Sequence, residues 1–155
     1  MPYSPMLVRP MREELSQAGV EELMTAADVD AFMSDKTGTA MLVVNSVCGC
    51  AAGMARPGIR MALQHSRRPL RVASVFAGQD LEATARARGY LADIPPSSPS
   101  IAFWKDGELT YFMPRHRIEG RNAQAVAQDL MAVFDEHCGE AAPAAAQEPS
   151  AAAAR

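Results

Sequence analysis

The stretch AMLVVNSVCGC, residues 40–50, decides the fold of this 155-residue chain. Its apolar part, Ala40–Val44, is typical of a buried central strand in a parallel or mixed sheet. Cys48 and Cys50 follow this strand, and a helical stretch is predicted directly after them, from residue 51 to about residue 65. The sequence therefore places a pair of thiols where a core strand meets a helix.

The composition limits the class of protein. Hydrophobic residues make up 48% of the chain, which is enough for one folded domain with a real core. The net charge of −3 is unlike that of a basic nucleic-acid binder, and no run approaches the roughly 18 apolar residues that span a bilayer. We expect no nucleic-acid partner and no membrane partner. Because the N-terminus lacks a charged-then-apolar signal pattern, we expect a cytoplasmic protein.

The three cysteines indicate chemistry rather than structural crosslinking. An odd number leaves one thiol over, so it cannot form a complete disulfide framework. In a cytosolic chain thiols stay reduced, and a close pair suggests redox chemistry or metal binding. Cys138, at the end of the last predicted helix, is expected to be a partly buried spare thiol.

Helices and strands are predicted to alternate around the cysteine pair. A βαβ half is followed by a ββα half, which is a thioredoxin-like plan: an α/β fold with a central mixed sheet of about four to five strands flanked by helices, and an added N-terminal helix. The predicted elements are helices from Pro10 to about Gln17, from Thr25 to about Ser34, from Asp80 to about Arg88 and from Asn122 to about His137, a strand at Leu70–Phe76, and a hairpin of residues 100–104 and 109–113 around Asp106-Gly107.

The chain is expected to hold one domain, residues 1–140, and a tail. Residues 141–155 are rich in Ala and Pro and carry no large apolar side chain. Such a segment cannot offset its ordering entropy by burial. We therefore predict that residues 141–155 are disordered.

The spacing of the pair predicts its chemistry. Two residues of chain span at most about 7 Å, so the two Cα atoms lie within disulfide reach. Gly49 is expected to supply the backbone freedom of a tight loop, and a ring closed over one residue should be strained and easily reduced. N–H groups at a helix start favour a thiolate, so Cys48 is predicted to be the nucleophile and Cys50 the resolving thiol.

Other interpretations of the pair stay open. Two buried small hydrophobes are one, and a metal site is another, although zinc usually has two to four residues between paired cysteines. No metal ligands are predicted. Arg56 is expected to be a solvated helix residue rather than a source of positive field at the thiols. Asn45 is the polar candidate at the strand end, and the strand offers no acid as a general base for Cys50.

Two loops are candidates for substrate binding. In thioredoxin-like folds a cis proline faces the cysteines, and Ser98-Pro99 is at the matching place, with Ser98 offering its backbone to an extended substrate; an ordinary trans proline is the alternative. The basic cluster Arg115-His116-Arg117 follows the hairpin and could bind the carboxylates of a thiol substrate. A solvated hairpin exit is the alternative there. Replacing Arg115 and Arg117 is expected to weaken the use of an anionic thiol.

The motifs resemble those of the bacilliredoxin family over residues 7–138. The stretch from Val44 to Gly53, with Ala55-Arg-Pro57, resembles its active-site signature. Later segments also resemble that family: residues 76–84, 96–100, 114–120 and 134–138.

The resemblance implies a function. Bacilliredoxins are thioredoxin-like proteins that remove bacillithiol from S-bacillithiolated proteins. Cys48 would take the bacillithiol moiety as a mixed disulfide, and a second thiol, from bacillithiol or from Cys50, would restore the enzyme. The implied partners are S-thiolated client proteins, bacillithiol or a similar low-molecular-weight thiol as co-substrate, and a flavin disulfide reductase, with no tightly bound cofactor. A protein disulfide isomerase or reductase is the alternative.

Overall fold

The computed structural model describes residues 2–139, so the tail predicted at residues 141–155 lies outside the described residues. No helix within residues 2–139 is long and apolar enough to cross a membrane. The elements are α1 (Pro5–Ser16), β1 (Glu21–Glu22), α2 (Ala26–Ser34), β2 (Thr39–Asn45), a π-helical turn (Ala51–Ala55) that leads into α3 (Arg56–Ala62), β3 (Arg71–Phe76), α4 (Leu81–Gly89), β4 (Ser100–Lys105), β5 (Glu108–Met113), a 3₁₀ turn (Arg115–Arg117) and α5 (Ala123–His137).

The five strands form one mixed sheet in the order β1-β3-β2-β4-β5. Strand β2 lies at its centre, parallel to β3 and antiparallel to β4. All seven residues of β2 are buried, as expected for an apolar run covered on both faces. The predicted thioredoxin-like order of elements is confirmed, including the helix that precedes the sheet.

The core is divided between the two faces of the sheet. Side chains alternate along a strand, so Met41 and Val43 pack in one cluster and Leu42 and Val44 in the other. Residues of α1, α3 and α5 complete the first cluster, and residues of α2 and α4 complete the second. The strand that leads to the cysteines is therefore held from both sides.

Three locally encoded features are as predicted. Thr25 and Asp28 form a reciprocal capping box at the start of α2. Asp106 and Gly107 have φ of 50° and 86°, the two positive values that a type I′ hairpin turn requires. Asn122 caps α5 by accepting the N–H of Ala125.

One predicted helix start and one predicted side-chain cap are wrong. Helix α1 begins at Pro5 rather than Pro10, because the Ser4 hydroxyl accepts the N–H of Met6 and caps an earlier turn. Asp80 precedes α4 as predicted, but its carboxylate binds Arg12 of α1 in place of capping the helix.

Candidate active site

Cys48 lies at the start of the helical segment that follows β2. Its carbonyl oxygen accepts the N–H groups of Ala51 and Ala52, both at 3.1 Å, so Cys48 occupies the N-cap position. Its side chain is half-buried, whereas Cys50 is only 7% exposed. Both thiols are free. The first cysteine is therefore the more accessible of the pair.

The Cys48 sulfur is surrounded by hydrogen-bond donors. The Ser46 hydroxyl donates to Sγ of Cys48 over 3.3 Å. Burial of Cys48 opposes ionisation, but hydrogen bonds from the thiol of Cys50, the hydroxyl of Ser46 and the N–H groups of Ala51 and Cys50 outweigh burial and lower the pKa of Cys48. A lowered pKa gives the thiolate, which is the nucleophilic form.

The surroundings of Cys50 shift its pKa in the opposite direction. Burial, the hydrogen bond to Cys48 and the charge of Cys48 all raise the pKa of Cys50, and Arg115 offsets part of that rise. Because the two pKa values are pushed apart, Cys48 ionises first while Cys50 keeps its proton. That order suits the predicted roles of nucleophile and resolving thiol.

Gly49 does not use the freedom of glycine in this dithiol structure. Its φ is not among the positive values, and a Cβ added there would meet no atom within 4 Å. The chain already follows the right-handed helical conformation here, with Cys50 at φ −69° and ψ −29°. The prediction that this loop needs a glycine backbone is therefore wrong for the reduced pair.

Arg56 is buried rather than solvated, which corrects the prediction from the sequence. Its side chain is 2% exposed, and Nε donates to Oε1 of Glu14 over 2.7 Å. Its Nη1 donates to Oδ1 of Asn45 over 3.0 Å and to the carbonyl of Ser46 over 2.8 Å. Arg56 thus fixes Asn45 and Ser46, which form the turn between β2 and Cys48 (the Asn45–Ser46 corner).

The peptide bond between Ser98 and Pro99 is cis, so the trans alternative is wrong. Val44 pairs with Ser100 across β2 and β4, which places the cis bond beside the end of β2 that leads to the cysteines. Arg115 reaches the same place, because its Nη1 donates to the carbonyl of Ser98 over 3.4 Å.

The basic cluster is divided by the structure. Arg115 lies close enough to both thiols for their charges to interact, and its exposed end pairs with Glu119 over 3.4 Å. His116 is exposed on the same turn. Arg117 pairs instead with Asp129 of α5 over 3.2 Å. Only Arg115 of the two arginines is thus brought to the cysteines.

Cys138 is separate from the pair. It is buried at the end of α5, and its thiol donates to Oγ1 of Thr39 over 3.8 Å, at the other end of β2 from Cys48. Burial raises the pKa of Cys138, so this thiol stays protonated. Within residues 2–139, no group of three or more His, Cys, Asp and Glu side chains could hold a metal ion.

Two residues of the site were not predicted. Ser46 is two positions before Cys48, a spacing at which a serine hydroxyl accepts a backbone N–H, and Cys48 N–H does donate to it over 3.3 Å. That spacing was a usable signal. Glu14 gave none, because it is 42 residues away from Arg56 along the chain.

Comparisons with known proteins agree with this geometry. Residues 3–138 match the sequence family described as "Disulphide isomerase". The chain is 53% identical to a protein named bacilliredoxin from Salinibacter ruber, over 94% of this chain and 86% of that protein. It is 54% identical to a bacilliredoxin from Cytophaga hutchinsonii, over 86% and 98%.

Solved structures show the same fold. Thioredoxin from Fasciola hepatica matches with a TM-score of 0.53 and 20% identity, over 76% of this chain and 99% of that chain. Thioredoxin O2 from Arabidopsis thaliana matches with a TM-score of 0.54 and 15% identity, over 76% and 96%. Together with the relatives and the cysteine geometry, these matches show that the chain belongs to the bacilliredoxin family and is a thiol–disulfide oxidoreductase with the thioredoxin fold.

Proposed function

We propose that this protein removes bacillithiol, or a similar low-molecular-weight thiol, from mixed disulfides on client proteins in the cytoplasm. The observation that carries the proposal is the ionisation order of the pair. Cys48 is the accessible thiol with the lowered pKa, and buried Cys50 has the raised one. In such a pair the first sulfur attacks the mixed disulfide, and the second remains a protonated thiol during that step.

The chemistry is two thiol–disulfide exchanges. The Cys48 thiolate attacks the bacillithiol sulfur of the client's mixed disulfide, the client's S–S bond breaks, and the electron pair leaves on the client cysteine, which takes a proton. Cys48 now carries bacillithiol. A second bacillithiol thiolate attacks that sulfur, frees Cys48 and leaves as bacillithiol disulfide, which a flavin disulfide reductase would return to the thiol.

Cys50 offers a second way to free Cys48. It would lose its proton, attack the Cys48 sulfur and release bacillithiol, leaving an intramolecular disulfide. Burial still raises the pKa of Cys50 once Cys48 carries bacillithiol, although the charge of the Cys48 thiolate no longer contributes, so the Cys50 thiolate forms less readily than that of an exposed thiol. Burial of Cys50 therefore favours the route through external thiol.

Arg115 supports the choice of an anionic thiol as substrate. Its side chain is 43% exposed and near enough to both thiols for their charges to interact, so its guanidinium is available to bind a carboxylate by charge-assisted hydrogen bonds. We place His116 and the backbone of Ser98 beside it in the substrate-binding region.

A protein disulfide isomerase or reductase is the second candidate. The description of the matching sequence family favours it. The two functions differ in what becomes attached to Cys48. In the first it is the small thiol, and in the second it is the client protein itself.

The test is a Cys50→Ser variant incubated with a protein that carries bacillithiol as a mixed disulfide. We expect intact mass spectrometry to show one bacillithiol on Cys48 and the client released in reduced form. The matched Cys48→Ser variant should acquire no adduct. A covalent complex with the whole client would support the isomerase, and an unmodified Cys50→Ser variant would refute both candidates.

A further inference from the structure

Arg56 is a buried cation that the exchange chemistry does not use directly. Burying a guanidinium is costly unless fixed acceptors compensate it. Three acceptors do so here: Oε1 of Glu14, Oδ1 of Asn45 and the carbonyl oxygen of Ser46. Because a guanidinium is a rigid planar fork, these acceptors fix its position, and it fixes theirs in return.

The contacts of Arg56 continue to the reactive sulfur through Ser46. The Ser46 carbonyl accepts from Arg56 over 2.8 Å, and the Ser46 N–H donates to Oδ1 of Asn45 over 2.9 Å. With its backbone held on both sides, Ser46 directs its hydroxyl to Cys48, donating to Sγ and accepting the Cys48 N–H, each over 3.3 Å. Ser46 and Asn45 are both buried, so bulk water does not compete for these bonds.

Helix α1, which precedes the sheet, supplies the outer end of this network. Glu14 on α1 pairs with Arg56, and the Met11 carbonyl accepts from Nδ2 of Asn45 over 3.4 Å. Arg60 of α3 also donates to the Glu14 carbonyl. The N-terminal helix is thus connected to the Asn45–Ser46 corner by the side chains of Asn45 from β2 and Arg56 from α3.

We propose that Arg56 is a positioning residue for the thiol chemistry: held by Glu14, it fixes the Asn45–Ser46 corner and so aims the Ser46 hydroxyl at the Cys48 sulfur. The inference rests on the proposed role of Cys48 as nucleophile. Arg56 itself touches neither thiol in this network; it acts through Ser46.

The test measures the ionisation of Cys48 by alkylation with iodoacetamide across a range of pH, with each cysteine resolved by mass spectrometry. Ser46→Ala and Arg56→Lys should each raise the apparent pKa of Cys48 by up to about one unit, because the first deletes the Ser46 hydrogen bond to the thiolate and the second leaves the Ser46 hydroxyl misaligned. The double variant should show no larger shift than Ser46→Ala alone. An unchanged profile in Arg56→Lys, or additive shifts, would overturn the proposal.

A second pair of variants avoids the buried cation. The Glu14 side chain is 42% exposed, so Glu14→Gln is compatible with folding. It should raise the apparent pKa of Cys48 in the same direction by a smaller amount. Glu13→Gln is the matched control, since Glu13 pairs only loosely with Arg9, over 3.8 Å on the exposed face of α1. Equal profiles for the two variants would contradict the proposal.

The readout also separates this inference from the proposed function. Alkylation uses neither bacillithiol nor a client, so a failed bacillithiol transfer would leave the Arg56 result standing. In the wild-type protein, Cys48 should react at lower pH than Cys50. If it does not, the nucleophile assignment itself is wrong.

Discussion

Arg115 and Arg117 are two positions apart and serve different parts of the molecule. Arg115 donates to the Ser98 carbonyl and interacts with both thiols, whereas Arg117 pairs with Asp129 of α5. The sequence predicted one basic cluster at the thiols. The 3₁₀ turn separates its members, because a tight turn points neighbouring side chains in different directions.

The two arginines should therefore differ in their effect on substrate binding. Arg115→Ala should raise the KM for a bacillithiol mixed disulfide by about five- to tenfold, since one charge-assisted contact to the substrate is lost. Arg117→Ala is the control and should leave that KM unchanged. Steady-state rates in the Cys50→Ser background, with bacillithiol as the second thiol, give the comparison. Equal effects of the two substitutions would remove Arg115 from the binding region.

The site was predictable where its signal is local in the chain. The pair Cys48 and Cys50 follows a recognisable strand, so its position in the chain indicated the site; Ser98-Pro99 precedes another strand, and the thioredoxin-like order of elements indicated its role. Arg56 was assigned to solvent because its compensating acceptor, Glu14, is on a distant helix. Burial of a charged side chain depends on such partners, and no local pattern reveals them.

Helices α3 and α5 pack closely enough that only glycine fits at position 58. A Cβ there would lie 2.8 Å from Cγ1 of Val126 and 2.9 Å from the carbonyl oxygen of Ala123. Helix α3 extends the segment that carries the cysteines, so this contact sets the distance between that segment and the C-terminal helix.

We expect Gly58→Ala to lower the free energy of unfolding by about 1–3 kcal/mol, because the backbones of α3 and α5 must move apart. Gly89→Ala at the end of α4 is the control, since its Cβ would meet no atom within 4 Å. It should be neutral or stabilising by less than about 1 kcal/mol. Urea denaturation followed by circular dichroism measures both. Equal stability of the two variants would contradict the close approach.

The start of a helix could be predicted where the residues that cap it lie within a few positions of it. Thr25 and Asp28 are three residues apart and cap α2 as the spacing indicates. Pro10 was taken as a helix start, but the Ser4 cap begins α1 a turn and a half earlier, and Pro10 lies inside the helix. Proline inside a helix is normally excluded for its missing N–H, so only the packing of α1 reveals this exception.

An ion pair joins helix α1 to the residue that precedes α4. Arg12 binds both oxygens of Asp80, at 2.7 and 2.9 Å, with its guanidinium 5.3 Å from the ring centre of Phe76. The Arg12 side chain is only 15% exposed. This contact fastens the N-terminal helix across the end of β3.

The corresponding prediction compares two arginines of α1. Arg12→Met should lower the free energy of unfolding by about 2 kcal/mol, because it leaves the poorly solvated Asp80 carboxylate without its partner. Arg9→Met removes only the exposed pair with Glu13, so it should change stability by less than about 0.5 kcal/mol. Guanidinium chloride or thermal unfolding at fixed pH distinguishes them. A loss in Arg9→Met as large as that in Arg12→Met would show that the ion pair is not what fastens α1.

The N-cap position of Cys48 ties the chemistry of the sulfur to the stability of the helix. Because folding lowers the pKa of this thiol, its ionised form stabilises the native state: the contribution is present above the unfolded value of about 8.5 and is lost as the pH falls through the folded value. A disulfide bond formed at Cys48 removes that charge and deprives the backbone N–H groups of a charged acceptor. Breaking the bond restores it. The folded chain itself therefore favours release of whatever Cys48 has captured.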